Sequence, residues 1–286
     1  MYGYTNGGFM YICDQHLHTK YSFDGDREKA TVNNITEAAI AAGLSEICIT
    51  DHYDINGIIE KTYPDYDAEN ARAEIFAAKE KYKNKLTITY GIELGEATHY
   101  PTESKEFLKK YPFEYVIGSI HNIKDVPDFY YINFTDMTDA LIASLWERYL
   151  KEIEELVDFG GFSTLAHLTY PIRYVNKYGR QFDVNRYYDR IERIYRKLIT
   201  KNIALEVNTS GLRQGMGCTM PYRQLIELYY ECGGKMITCG SDAHTPGDVG
   251  VGILETYKML INIGFKTITI FRNRTPEMIS ITEVLS

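Results

Sequence analysis

The 286-residue sequence lacks an excess of positive charge, a Cys-x-x-Cys pair and any long apolar run, and each absence removes a class of function. Lys and Arg number 31 against 39 Asp and Glu, a formal net charge of −8, which disfavours a nucleic-acid groove or an anionic membrane surface as the main partner. A small substrate suits the balance better. The five cysteines (Cys13, Cys48, Cys218, Cys232, Cys239) are scattered, and with no signal peptide in view the chain reads as cytoplasmic with reduced thiols. Cys48 and Cys239 lie in apolar, strand-like runs and read as buried packing. There is neither a Walker loop nor a Gly-x-Gly-x-x-Gly turn; Gly250-Val251-Gly252 is too short and reads as a loop leading into a helix. Nor is there a Ser/Pro linker, an internal repeat or a low-complexity stretch. The expectation is one domain over 1–286, with 1–9 as a loose leader. At 44% hydrophobic and 24% charged, the chain can bury a full core.

What is present is alternation. Strand-like runs at 10–18, 46–52, 86–94, 115–121, 163–168, 203–209 and 235–242 are separated by helical periodicity at 31–43, 67–83, 102–110, 136–159, 185–201, 221–232 and 253–263. The clearest helix is 136–159, where Leu141, Leu145, Tyr149, Ile153 and Leu156 recur at helical spacing and Gly160-Gly161 closes it. Seven strand–helix units predict an α/β fold with a parallel sheet closed as a barrel, and 267–271 adds a final strand near its edge.

The chemistry lies where the runs end. His16 and His18 stand two apart on a strand and so point to one face. His52, Glu93, His121, His167 and the pair Asp242 and His244 close later runs, and in a parallel barrel those ends share one mouth. Any one of these histidines alone reads as a satisfied core residue. Six at one mouth with two carboxylates are a different matter, because imidazoles do not cluster without partners and divalent cations are the physical reason to gather them.

The series Asp14-Gln15-His16-Leu17-His18, Thr50-Asp51-His52, Gly91-Ile92-Glu93, Gly118-Ser119-Ile120-His121, Ala166-His167 and Gly240-Ser241-Asp242-Ala243-His244 resembles the polymerase-and-histidinol-phosphatase (PHP) superfamily, from about residue 10 to 270. The run Glu206-Val207-Asn208-Thr209-Ser210-Gly211-Leu212-Arg213 further resembles its histidinol-phosphate phosphatase branch. The resemblance implies a distorted seven-stranded, TIM-like (β/α) barrel with up to three divalent ions, zinc, iron or manganese. Carried over residue by residue, His16, His18, Glu93 and Asp242 hold the first ion, with Glu93 bridging to a second completed by His121 and His167. His52, His244 and Asp24 take the third, Asp24 being chosen over nearby Asp26. Glu93, Asp242, His244 and Arg213 are the expected catalytic set. The implied reaction is hydrolysis of L-histidinol phosphate, a phosphomonoesterase step of histidine biosynthesis in which a hydroxide bridging two metals attacks phosphorus.

Arginine suits a phosphoryl group because its planar fork donates two parallel hydrogen bonds. Arg213 is the first choice for that contact and Arg173 the second. Asp54, Glu96 and Tyr170 are candidates for recognising the leaving group, and Glu96 is otherwise a loop carboxylate outside the ligand set. His99 reads as a solvated or structural residue. Another small phosphate ester as substrate, a nuclease, and a metal-binding module without turnover are the alternatives; the nuclease needs a basic groove that this composition does not supply.

Overall fold

The structure is a computed structural model that describes residues 11–282; the expected leader at 1–9 lies outside them. Seven parallel strands run in spatial order β1 (Cys13–Leu17), β2 (Glu46–Ile49), β4 (Thr87–Gly95), β5 (Tyr115–Ser119), β6 (Thr164–Leu165), β7 (Ala204–Asn208) and β8 (Ile237–Gly240), with a short β3 (His52–Asp54) paired to β4. The ring comes nearly shut where a parallel bridge joins Leu17 to Ala243 and the amides of His18 and Asp242 donate to Ala243 and His16. Helices surround the strands. Among the described residues no helix is long and apolar enough to cross a membrane.

Alternation along β4 shows how the sequence builds both layers. Ile88, Tyr90, Ile92 and Leu94 join the large core between sheet and helices, whereas Thr89, Gly91, Glu93 and Gly95 occupy the other parity, which brings Glu93 into the barrel mouth. A separate inner core of Cys48, Tyr115, Ile117, Ala166, Ala204 and Phe271 fills the barrel below it. Cys48 and Cys239 are buried as expected.

The floor is covered by an antiparallel hairpin of β9 (Thr267–Arg272) and β10 (Thr275–Ser280). Gln15 Nε2 donates to Thr269 O, Thr269 Oγ1 accepts from the Ile237 amide, and Arg272 pairs with Glu46 at the start of β2. The tail strand is thus half of a hairpin lying across the amino ends of the barrel strands, not an addition to the barrel's edge.

The predicted helices are present, most with shifted ends. The long one spans Asp139–Phe159, capped by the Thr138 side chain and ended at Gly160, whose φ of 64° suits glycine. Leu141 is a correction: it lies in the first turn, 47% exposed, while the buried stripe begins at Ile142. The run 46–52 is also two strands, because Asp51 turns inward to accept from the Thr19 amide and the Thr19 and Ser22 hydroxyls. His52 therefore opens β3 and does not close β2. Among the described residues three α-helices were not expected, Ile55–Ile59, Tyr170–Lys177 and Ser210–Arg213.

Candidate metal centre

Glu93 is fully buried at the centre of the mouth, and its two oxygens face different imidazoles. Oε2 lies 3.0 Å from His16 Nε2, 3.5 Å from His18 Nε2 and 3.2 Å from His52 Nδ1. Oε1 lies 3.0 Å from His167 Nε2 and 3.2 Å from His121 Nε2. Asp242 Oδ1 stands 3.2 Å from His18 Nε2 and 3.9 Å from His16 Nε2. At the rim, Asp24 Oδ2 is 3.0 Å from His244 Nε2 and 3.7 Å from His52 Nε2. Asp26 is engaged elsewhere, its Oδ1 accepting the amides of Glu28 and Lys29. All nine residues singled out from the sequence as metal ligands are thus brought to one mouth.

Their donor atoms fall into tight groups. His16, His18 and Asp242 form one, Glu93, His121 and His167 a second, and His18, His52 and His244 a third, each with ligand atoms within 4.8 Å of one another. The second group contains a contact that imidazoles alone do not favour: the Nε2 atoms of His121 and His167 face each other at 3.4 Å, with Glu93 Oε1 beside both. His18 Nε2 and His244 Nε2 are buried and make no hydrogen bond, although carboxylate oxygens lie near them. Convergent nitrogen and oxygen acceptors of this kind fit divalent cations.

The electrostatics agree with that chemistry. Burial pushes the Glu93 carboxyl up, but the imidazoles of His16, His52 and His121 outweigh it and hold it well below the usual range. Asp242 is likewise held low against its burial by His16, His18 and His244. Burial, reinforced by His244 and His52, lowers His18 to about 3. His18 therefore presents neutral imidazole, the form that binds a metal.

Around the cluster stands a layer of supporting groups. Asp54 Oδ2 is 3.1 Å from His121 Nδ1 and its Oδ1 is 3.4 Å from His52 Nδ1. Glu96, the expected loop carboxylate, is buried and accepts the His121 amide at 2.6 Å. Ser22 Oγ lies 3.0 Å from His18 Nδ1, and Asn208 and Ser210 each donate to Asp242 Oδ2 at 3.2 Å. Glu206 Oε1 is 2.6 Å from His16 Nδ1. Glu206 and Asn208 share the two-residue spacing of His16 and His18; that spacing on β7 was the available signal.

The mouth opens into a cavity of about 430 Å³ lined by the cluster, His16 and His18 excepted, together with Phe23, Asp128, Tyr130, Tyr170, Arg173 and Arg213. Arg213 donates to the carbonyls of Ser241 and Asp242, and its Nε is 3.2 Å from Asp248 Oδ1. Arg173 lies against the rings of Tyr170 and Tyr174, 5.0 and 4.7 Å from their centroids, and its fork meets Gln214 and the Tyr174 hydroxyl. Asp128, missed in the sequence, accepts from the Tyr170 hydroxyl at 3.0 Å and the Tyr130 amide at 2.8 Å, both on Oδ1. Of the three leaving-group candidates, Tyr170 and Asp54 line this cavity; Glu96 is shut away behind His121. His99 is structural, 2.7 Å from Glu152.

Known proteins resemble this chain along most of its length. A family model described as "PHP domain" matches residues 14–210. A probable histidinol-phosphatase of Thermotoga maritima is 33% identical, the alignment covering 91% of this chain and 95% of that one. The histidinol-phosphatase of Lactococcus lactis is 28% identical over 90% and 93% of the two chains. The crystal structure of the Lactococcus lactis histidinol phosphate phosphatase, complexed with zinc, L-histidinol and phosphate, superimposes with a TM-score of 0.80 at 26% identity, covering 93% of this chain and 98% of that one. A nearly closed parallel barrel with a buried histidine–carboxylate cluster at its mouth, matched along most of its length, places this chain in the PHP domain family, in its histidinol-phosphatase branch.

Proposed function

We propose that the protein is a metal-dependent phosphomonoesterase that hydrolyses L-histidinol phosphate to L-histidinol and phosphate. The observation that carries it is Glu93, one buried carboxylate whose two oxygens each face a different set of imidazoles beneath a cavity holding two arginines. His16, His18, Glu93 and Asp242 would hold one ion, Glu93, His121 and His167 a second, and His52, His244 and Asp24 a third. Zinc suits this donor set, and iron and manganese share its chemistry. When bound, such ions lower the pKa of a coordinated water toward neutrality and neutralise phosphoryl oxygens.

The remaining work falls to the chain's own side chains. A guanidinium carries five N–H donors. Arg213 directs three toward Ser241, Asp242 and Asp248, which fixes its plane and leaves two for a phosphoryl oxygen at the cavity wall. Arg173 lies over two tyrosine rings and among the described residues pairs with no carboxylate, so its charge is available to an anion. On the same tyrosine wall, Asp128 is fixed through Oδ1 by the Tyr170 hydroxyl, and its Oδ2 would meet a cationic group. An ammonium or imidazolium meets its complement there, and the aromatic wall suits an imidazole ring.

The test is kcat/KM of metal-analysed protein for L-histidinol phosphate beside p-nitrophenyl phosphate and a sugar phosphate. A site that hydrogen-bonds the imidazole and ammonium should prefer the first by about 10⁴-fold. If histidinol phosphate is no better than the other two, the substrate assignment fails and a general phosphoesterase remains.

A further inference from the structure

Glu206 sits on β7, 1% exposed, and is outside the proposed ligand set. Its two oxygens are directed to two different ligands. Oε1 is 2.6 Å from His16 Nδ1, and Oε2 accepts the backbone amide of His167 at 2.9 Å. His16 and His167 belong to different donor groups, so a single carboxyl reaches both. The opposite nitrogen of His16, Nε2, is the one that faces Glu93 and Asp242.

The local packing is built to allow this contact. On neighbouring β8, a Cβ at Gly240 would lie 2.2 Å from His16 Cβ and 2.9 Å from Glu206 Oε1. Only a residue without a side chain leaves room for the pair at that point. Asn208, two residues along the same strand, donates to Glu206 Oε2 at 3.4 Å and to Asp242 Oδ2 at 3.2 Å. The carboxyl is therefore itself held, by a group that also holds a proposed ligand.

We propose that Glu206 is a positioning residue: it keeps the His16 proton on Nδ1, so that Nε2 is free as a metal ligand, and through the His167 amide it sets the separation of the first and second ion sites. The inference rests on the metal reading given above. Partners of this kind orient the ring and raise its basicity, and losing one costs about 10–100-fold in metal affinity.

Zinc titration against a competing chelator, on the wild type and on Glu206→Gln, tests it. The amide keeps the shape but turns one acceptor oxygen into a donor, and both oxygens of Glu206 are in use. Glu206→Gln should fold, bind zinc about 10–100-fold more weakly, and lose kcat with KM nearly unchanged. Zinc affinity and kcat equal to the wild type would overturn the proposal. Should the variant not fold, ¹⁵N-histidine NMR of the zinc-loaded wild type decides: His16 protonated at Nδ1 supports it, and zinc on Nδ1 overturns it. A wild type that takes up no zinc would overturn the metal reading itself, and this inference with it.

Discussion

The two arginines at the mouth differ in what already holds them. Arg213 has Asp248 beside its Nε, so part of its charge is answered within the protein; among the described residues Arg173 meets only neutral partners and aromatic faces. Arg173→Met should lower kcat/KM for a phosphate ester at least as far as Arg213→Met, each by about tenfold or more, or roughly 1.4 kcal/mol of transition-state binding. Steady-state kinetics on the two variants checks the order. Asp128 makes a different demand, because in the proposed reading it meets the cationic leaving group and not the phosphoryl end. Asp128→Asn should raise KM for L-histidinol phosphate about tenfold and leave p-nitrophenyl phosphate within about twofold. Equal losses on both substrates would mean that Asp128 only anchors Tyr170.

The same residues show what the sequence could and could not disclose. The candidate metal ligands were legible because histidine is scarce and strand ends recur. Asp24 needed the resemblance, and the structure separates it from Asp26 by hydrogen bonds that no spacing encodes: Asp26 is spent on two amides. Asp128 was invisible as a participant, Asp54 was legible only as a leaving-group candidate and Glu206 only as part of the branch motif, since acidic residues are common and what distinguishes these three is the partner across the barrel.

At the level of elements, the helix at Tyr170–Lys177 went unseen because Pro171 reads as a break, yet proline in the first turn of a helix loses no hydrogen bond that the helix needs. The split between β2 and β3 was hidden for a related reason. Asp51 is bonded by side chains from the loop after β1, a tertiary demand that overrides a continuous apolar run. That split gives β3 its work: His52 and Asp54, two apart, share a face beside β4. Room for Asp54 is made by Gly95, where a Cβ would fall 2.4 Å from Asp54 Oδ1. Gly95→Ala should push Asp54 off His121, lower stability by about 1–3 kcal/mol and reduce bound zinc, while Gly247→Ala, with its nearest neighbour 4.0 Å away, should do neither. Thermal melts with metal analysis on both variants read this out.

For the whole molecule, the ion-free cluster makes a statement about pH. Burial favours neutral His52, but Glu93, Asp24 and Asp54 outweigh it and raise its pKa to about 10; His16, His121 and His244 are also raised by their carboxylates despite burial. A group bound more tightly to its proton when folded stabilises below its ordinary pKa, near 6.5 for histidine, and loses that contribution as pH rises through the folded value. The metal-free protein should therefore melt progressively lower from pH 7 to 9. Zinc takes the place of those protons, so the loaded protein should melt higher at pH 7 and decline less over the same range. Scanning fluorimetry with and without chelator measures both, and a metal-free melting temperature that rises with pH would refute the argument.

The hairpin beneath the barrel carries a consequence for how the chain is made. Gln15 reaches Thr269 and the Cys13 amide reaches the Tyr257 hydroxyl, contacts that join the first strand to residues synthesised some 250 positions later. During translation β1, with His16 and His18, leaves the ribosome long before the segments that close the ring beside it and seal it from below. Until they are made β1 lacks its neighbour on that side, and an unpaired strand edge is where chains most readily pair with the wrong partner. The mouth and then the floor are completed only once Asp242 and, after it, Phe271 have been made.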